Sequence, residues 1–224
     1  MRRFVKENSL SIVFLSLFLG ALVLQAIAGH ADFNEDQIRH DNPTMSLGRY
    51  VVSSEFGTAV LENWQSEYLQ FTLFILLTVW LLQRGSPESK ELHKAGRESD
   101  QDQRVGRHAK QNSPRWARVN DFRRRLYENS LLIVMALIWL GSWLAQSLTG
   151  VNQYNAERLD HHELVVSWLD YLGKPDFWEK TLQNWQSEFL AVGSMAILAV
   201  YLRQRGSPES KPVGAPHDAT GVDG

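Results

Sequence analysis

The chain has 224 residues, 44% hydrophobic and 21% charged, with a formal net charge of −2 and no cysteine. Without cysteine there is no disulfide, thiol nucleophile or thiolate metal site, and so balanced a charge gives no reason to expect a nucleic-acid partner. The averages resemble those of a soluble protein because long charged connections dilute four apolar stretches.

Residues Arg2 to Lys90 recur without a gap as Arg123 to Lys211, at an offset of about 121 residues and with about 35 of 89 paired positions identical. Such a repeat does not arise from shared composition, so the chain reads as a tandem duplication and every element can be read twice. Residues 1–90 form a first two-span repeat, 91–122 a charged cytoplasmic linker, 123–211 a second two-span repeat, and 212–224 a disordered tail.

The first element, Leu10–Gly29, is an almost unbroken apolar run, close to the ~20 residues that a helix needs to cross ~30 Å of hydrocarbon. Arg2, Arg3 and Lys6 before it and Ala26-Ile27-Ala28 near its end imitate a secretory signal. Its copy at Arg123–Gly150 lies mid-chain, however, so the run is read as a retained span. Glu7 and Glu128, level with Arg84 and Arg205, read as boundary ion pairs or helix-start charges. Tyr68–Leu82 is short for a span, but a start at Trp64 restores ~20 residues, with an aromatic anchor at one interface and Arg84 at the other. Gly85 should end this span, and Ser86-Pro87-Glu88 fits a cap, a first-turn proline and an acidic first turn of a short following helix.

Glu91 to Phe122 is rich in Gln, Arg, Asp and Lys and has almost no large apolar residue before Trp116, so it should not bury a core. Leu131–Leu148 and Phe189–Leu202 repeat the two spans, with Trp185 as the anchor and Arg203 and Arg205 at the far end. Asp176-x-x-Glu179 resembles a capping box and predicts a last helix from about Phe177 to about Arg203, ~40 Å long. Leu164, Val165, Trp168, Leu169 and Leu172 space like one face of a short helix lying along the outer surface.

Basic residues set the orientation. They crowd the connection between the second and third spans, whereas the loop 30–63 carries only Arg39 and Arg49, and the loop 151–184 only Arg158, Lys174 and Lys180. Both termini and the linker should therefore be cytoplasmic. The expected fold is an all-α membrane protein with four transmembrane helices, arranged as two parallel helical-hairpin repeats with structured outer loops.

The short second and fourth spans pull Glu67 and Glu188 into the outer interface, a costly depth for a charge. Gln25 and Gln146 reach the same depth from the other direction, and Gly20 and Gly141 give small surfaces for close helix approach. These four polar residues form a candidate layer. Either the two carboxylates share a proton or a cation, or each sits in the positive first turn of its helix and bonds a glutamine as interhelical glue. Trp64 and Trp185 are read as interface anchors. His161-His162-Glu163 tempts a metal reading, but adjacent residues on a helix diverge, and only His161 has a histidine counterpart, His40. The repeated pairs Tyr50/Tyr171, Asn34/Asn155 and Phe56/Phe177 read as loop packing. No Walker loop, dinucleotide fingerprint, His-Glu-x-x-His pair or Gly-x-Ser-x-Gly elbow is present, so neither an enzyme, a cofactor nor a metal is expected.

Glu-Asn-Ser-Leu opening a span, Gln-x-x-x-Gly closing it, Asn-Trp-Gln-Ser-Glu opening the next and Arg-Gly-Ser-Pro-Glu-Ser-Lys ending it resemble a family of small bacterial integral membrane proteins catalogued as a domain of unknown function. The resemblance covers both repeats and implies a bacterial cytoplasmic-membrane protein, without implying an activity. The expected role is a non-enzymatic accessory or scaffold whose partners are the lipid bilayer and a second copy or another membrane protein. The alternative is a small ion or proton conductor using Glu67 and Glu188.

Overall fold

A computed structural model describes residues 2–222, and among them every regular element is a helix, with no strand. The helices are α1 (Arg2–Glu7), α2 (Ser9–Arg39), α3 (Leu47–Tyr50), α4 (Ser54–Leu77), α5 (Phe122–Glu128), α6 (Ser130–Asp160), α7 (Trp168–Tyr171) and α8 (Pro175–Tyr201). Two 3-10 turns, Gly106–His108 and Arg115–Arg118, lie between α4 and α5.

The helix breaks come from side chains that compete for backbone groups. At the α1–α2 junction Asn8 Nδ2 donates to the Phe4 carbonyl (2.8 Å) and Ser9 Oγ to the Lys6 carbonyl (3.1 Å). At the α5–α6 junction Asn129 Nδ2 donates to the Arg125 carbonyl (2.7 Å) and Ser130 Oγ to the Tyr127 carbonyl (2.8 Å). The repeated Asn-Ser thus interrupts the helix in the same way twice. Glu7 and Glu128 pair locally, with Arg3 (2.6 Å) and Arg124 (3.1 Å), rather than with Arg84 and Arg205. Arg84 meets Asp218 instead (3.4 Å).

Helices α2 and α6 have 31 residues each, ~46 Å at 1.5 Å per residue, and run past the expected ends at Gly29 and Gly150. The chain leaves them only where Asp41 and His162, equivalent positions, take the left-handed conformation (φ 55° and 60°). Along α2, Leu10, Val13, Phe14, Leu17 and Leu24 are exposed and Ala26 alone is buried. The apolar stretch of α2 is thus left almost uncovered by its own chain. α2 and α6 are the two described helices long and apolar enough to cross a membrane.

Helix α8 begins with Pro175 in its first turn and Asp176 behind it, close to the expected start, and ends at Tyr201. α4 stops at Leu77, before the expected Leu82, and the Gly96 amide returns to the Val79 carbonyl (2.7 Å). No helix follows Ser86-Pro87-Glu88. Gly85 (φ 85°) turns the chain, and Ser89 Oγ accepts from the Gln83 amide (2.9 Å), closing a turn where a helix cap at Ser86 was expected. The predicted outer-surface helix shrinks to the four residues of α7.

The chain divides into two compact units. One takes the chain up to Leu61 together with Gln146–Tyr171; the other takes Glu62–Ala145 and Leu172 onwards. In the first unit each long helix is met by its own loop. Asn34 Nδ2 donates to the Met45 carbonyl (3.0 Å) while its Oδ1 accepts from the Met45 amide (2.9 Å). Asn155 does the same to Val166 (2.9 and 2.8 Å). Tyr50 and Tyr171, both buried, lie against Gly29 and Gly150, where an added Cβ would run into the tyrosine hydroxyl. Each glycine is a flat seat rather than a helix terminator.

In the second unit the linker is not bare chain. Val105 and Ala117 are buried, and Arg124 reaches Asp100 (3.2 Å). The segment from Pro212, expected as a disordered tail, folds back as far as it is described: Gly85 N donates to Thr220 Oγ1 (2.9 Å) and Gly221 N to the Ser86 carbonyl (3.0 Å). Residues 223–224 of that expected tail lie outside the described residues.

Candidate functional site

Glu67 and Glu188 belong to the second unit, near enough for their charges to interact; Glu67 is exposed and Glu188 half-buried. Gln25 and Gln146 belong to the first unit. Gln25 is exposed, whereas Gln146 is 2% exposed and its Oε1 has no hydrogen-bond partner among the described residues. The two glutamates are thus neighbours, while the two glutamines sit in unlike surroundings.

The anchors diverge as well. Trp64 is exposed, but Trp185 donates its indole N–H to Gln65 Oε1 (2.7 Å), and Gln65, fully buried, donates in turn to the Glu62 carbonyl (3.1 Å). Trp143 stacks on Phe177 and Trp139 and meets Trp178 and Trp185, a cluster of aromatic rings within one unit. Burial raises the Glu62 carboxyl above its usual range, with Asp176 and Glu179 adding to the rise and Lys180 opposing it. Around His161 the geometry is local: Glu163 pairs with Arg158 (2.8 Å) and His162 turns the chain.

The turns at 83–90 and 204–211 hold what the sequence reading missed. Gln-Arg-Gly-Ser-Pro-Glu-Ser-Lys folds the same way at 83–90 and 204–211, with Ser89 Oγ on Gln83 N and Ser210 Oγ on Gln204 N, each 2.9 Å. The Glu88 carboxyl lies beside that of Glu209. A proton held between the two carboxyls, then burial and the Glu209 charge, pushes Glu88 up to about 7. Above the pair, within the second unit, a cavity of about 510 Å³ runs between α4 and α8. Leu73, Phe74 and Leu77 line one wall and Phe189, Val192 and Ala196 the other, with Ser86 and Glu88 at its polar end. The preserved Ser-Pro-Glu-Ser-Lys copies were the available signal, but only the fold brings the two carboxyls together.

Fold and site define an all-helical protein with two helices able to cross a membrane and an apolar cavity ending on an acidic pair. The chain belongs to the family described as Domain of unknown function (DUF6766), whose model matches residues 1–222. Comparison with curated proteins and with solved structures gave no match.

Proposed function

We propose that this is a four-span bacterial cytoplasmic-membrane protein made of two parallel helical hairpins, both termini cytoplasmic, acting as a non-enzymatic accessory or scaffold through its outer loops. The carrying observation is the twice-built loop clamp. Asn34 and Asn155 each hold a loop by two hydrogen bonds, and those loops present Val52, Leu164 and Leu169 at 85%, 85% and 71% exposure. Apolar residues on a fixed loop suit docking against another membrane protein or a second copy, because little loop ordering remains to oppose binding. A photo-crosslinking amino acid at Val52 or Leu164, activated in cells, should give one discrete protein adduct that weakens in Asn34→Ala and Asn155→Ala chains. Adducts to lipid alone would contradict the proposal.

The second reading is a small ion or proton conductor, favoured by the mutual approach of Glu67 and Glu188. Proteoliposomes should then show a flux that Glu67→Gln, Glu188→Gln abolishes. A folded double variant with the parent's flux would remove it.

A further inference from the structure

We propose that the cavity between α4 and α8 binds a single-chain cationic amphiphile, with its alkyl chain along the apolar walls and its ammonium head at Glu88 and Glu209. This goes beyond the scaffold reading and does not depend on it.

The size fits. About 510 Å³ falls within the ~300–1,000 Å³ that hold a small organic ligand. The walls select an unbranched chain, since Leu73, Phe74 and Leu77 on α4 face Val192 and Ala196 on α8 without a charged group among them. Gly193 leaves room between those walls: a Cβ built on it meets nothing within 4 Å. The polar end supplies the sign. Ser89 Oγ already accepts from Gln83 N and donates to the Lys90 carbonyl, so the acidic pair is what remains to receive a head group. Glu88 is the charged residue in the lining, with the Glu209 carboxyl beside it, so a cationic head would relieve their mutual repulsion, as a carboxylate head would not.

Four basic groups nearby are engaged elsewhere, and Arg205 is exposed to solvent. Lys90 pairs with Glu98 (3.1 Å), Arg84 meets Asp218 (3.4 Å), and Lys211 donates to the carbonyls of Pro216, His217 and Ala219 (3.1, 2.8 and 3.2 Å). Arg203 donates to the Ala215 carbonyl (3.0 Å). Glu209 is the charged group acting on Glu88 directly. Binding of the cation therefore displaces a proton and strengthens as the pH rises through about 7.

The test uses the full chain in lipid nanodiscs with a hexadecyl-trimethylammonium probe carrying a diazirine on its chain. Photolabelling should saturate, map to peptides from α4 and α8, and be competed by unlabelled hexadecyl-trimethylammonium but not by palmitate. Raising the pH from 6 to 8 should increase it. Glu88→Gln should weaken the saturable component by about tenfold, the loss expected when one charged partner is removed. Gly193→Leu, which fills the cavity, should abolish it. Unsaturable labelling spread over α2 and α6, equal competition by palmitate, or labelling unchanged in both variants would each overturn the assignment.

Discussion

The two ends of the repeat treat identity differently. In the loops 30–62 and 151–183 the copies share few residues besides Asn34/Asn155 and Tyr50/Tyr171, yet both loops are held by the same two hydrogen bonds and the same tyrosine on the same glycine, Gly29 or Gly150. At 83–90 and 204–211 eight consecutive residues are identical, yet their lysines part company. Lys90 is partly exposed and pairs with Glu98, whereas Lys211 is 1% exposed and donates to three carbonyls of the returning chain. Local hydrogen-bond partners reproduce a turn, while the segment that follows decides what the turn is buried under.

That contrast breaks first at the lysines. Lys211→Met should destabilise the detergent-solubilised protein by about 2 kcal/mol, because three part-buried carbonyl bonds lose their charged donor. Lys90→Met should cost under about 1 kcal/mol, since its ion pair is solvent-screened. Equal losses in chemical denaturation would undo the distinction. Next come the loops: Asn155→Ala should cost about 2 kcal/mol, since it leaves the part-buried amide and carbonyl of Val166 unpaired, and Asn34→Ala about 1 kcal/mol, because the Met45 carbonyl keeps His30 Nε2 (2.7 Å). Equal losses would mean that the histidine contact contributes nothing to the first clamp. Ser89→Ala and Ser210→Ala should each cost about 1 kcal/mol, alike because the local turn is alike.

The smallest effect is the pH dependence carried by the acidic pair. Glu88 is raised from its ordinary 4.5 to about 7, so the folded protein keeps a proton that the unfolded chain releases. Its contribution is complete below about 4.5 and is lost as the pH rises through about 7. Solvent screening at this exposed carboxyl holds the effect below about 1 kcal/mol. Thermal melts of the parent and of Glu88→Gln between pH 4.5 and 8 should differ in slope across that window, the variant being flatter.

Much of the helix plan was legible because apolar runs and the Asp176-Glu179 start are local signals, and α8 begins two residues from its predicted position. The helix ends were not. Gly29 and Gly150 look like terminators in sequence, but each lies inside a helix because a tyrosine needs its bare surface. Ser86 looks like a cap, yet no helix follows it; Gly85 reverses the chain and Ser89 closes the turn onto Gln83 N. The order of 212–222 was hidden for a further reason: its partners, Gly85 and Ser86, are more than a hundred residues away. Of the candidate polar layer, the proximity of Glu67 and Glu188 followed from their equivalent places in the repeat. The Glu88–Glu209 pair follows from the same equivalence, yet it lay in what read as a solvated turn.

The proposed four-span topology is directly measurable, because the chain has no cysteine. Single cysteines placed at Val52, Leu92, Leu164 and Gly214 can be labelled in intact cells with a membrane-impermeant maleimide. Four spans predict that Val52→Cys and Leu164→Cys react from outside, while Leu92→Cys and Gly214→Cys react only after permeabilisation. Leu92→Cys reacting from outside, with Leu164→Cys protected, would mean that only α2 and α6 cross, and would contradict it.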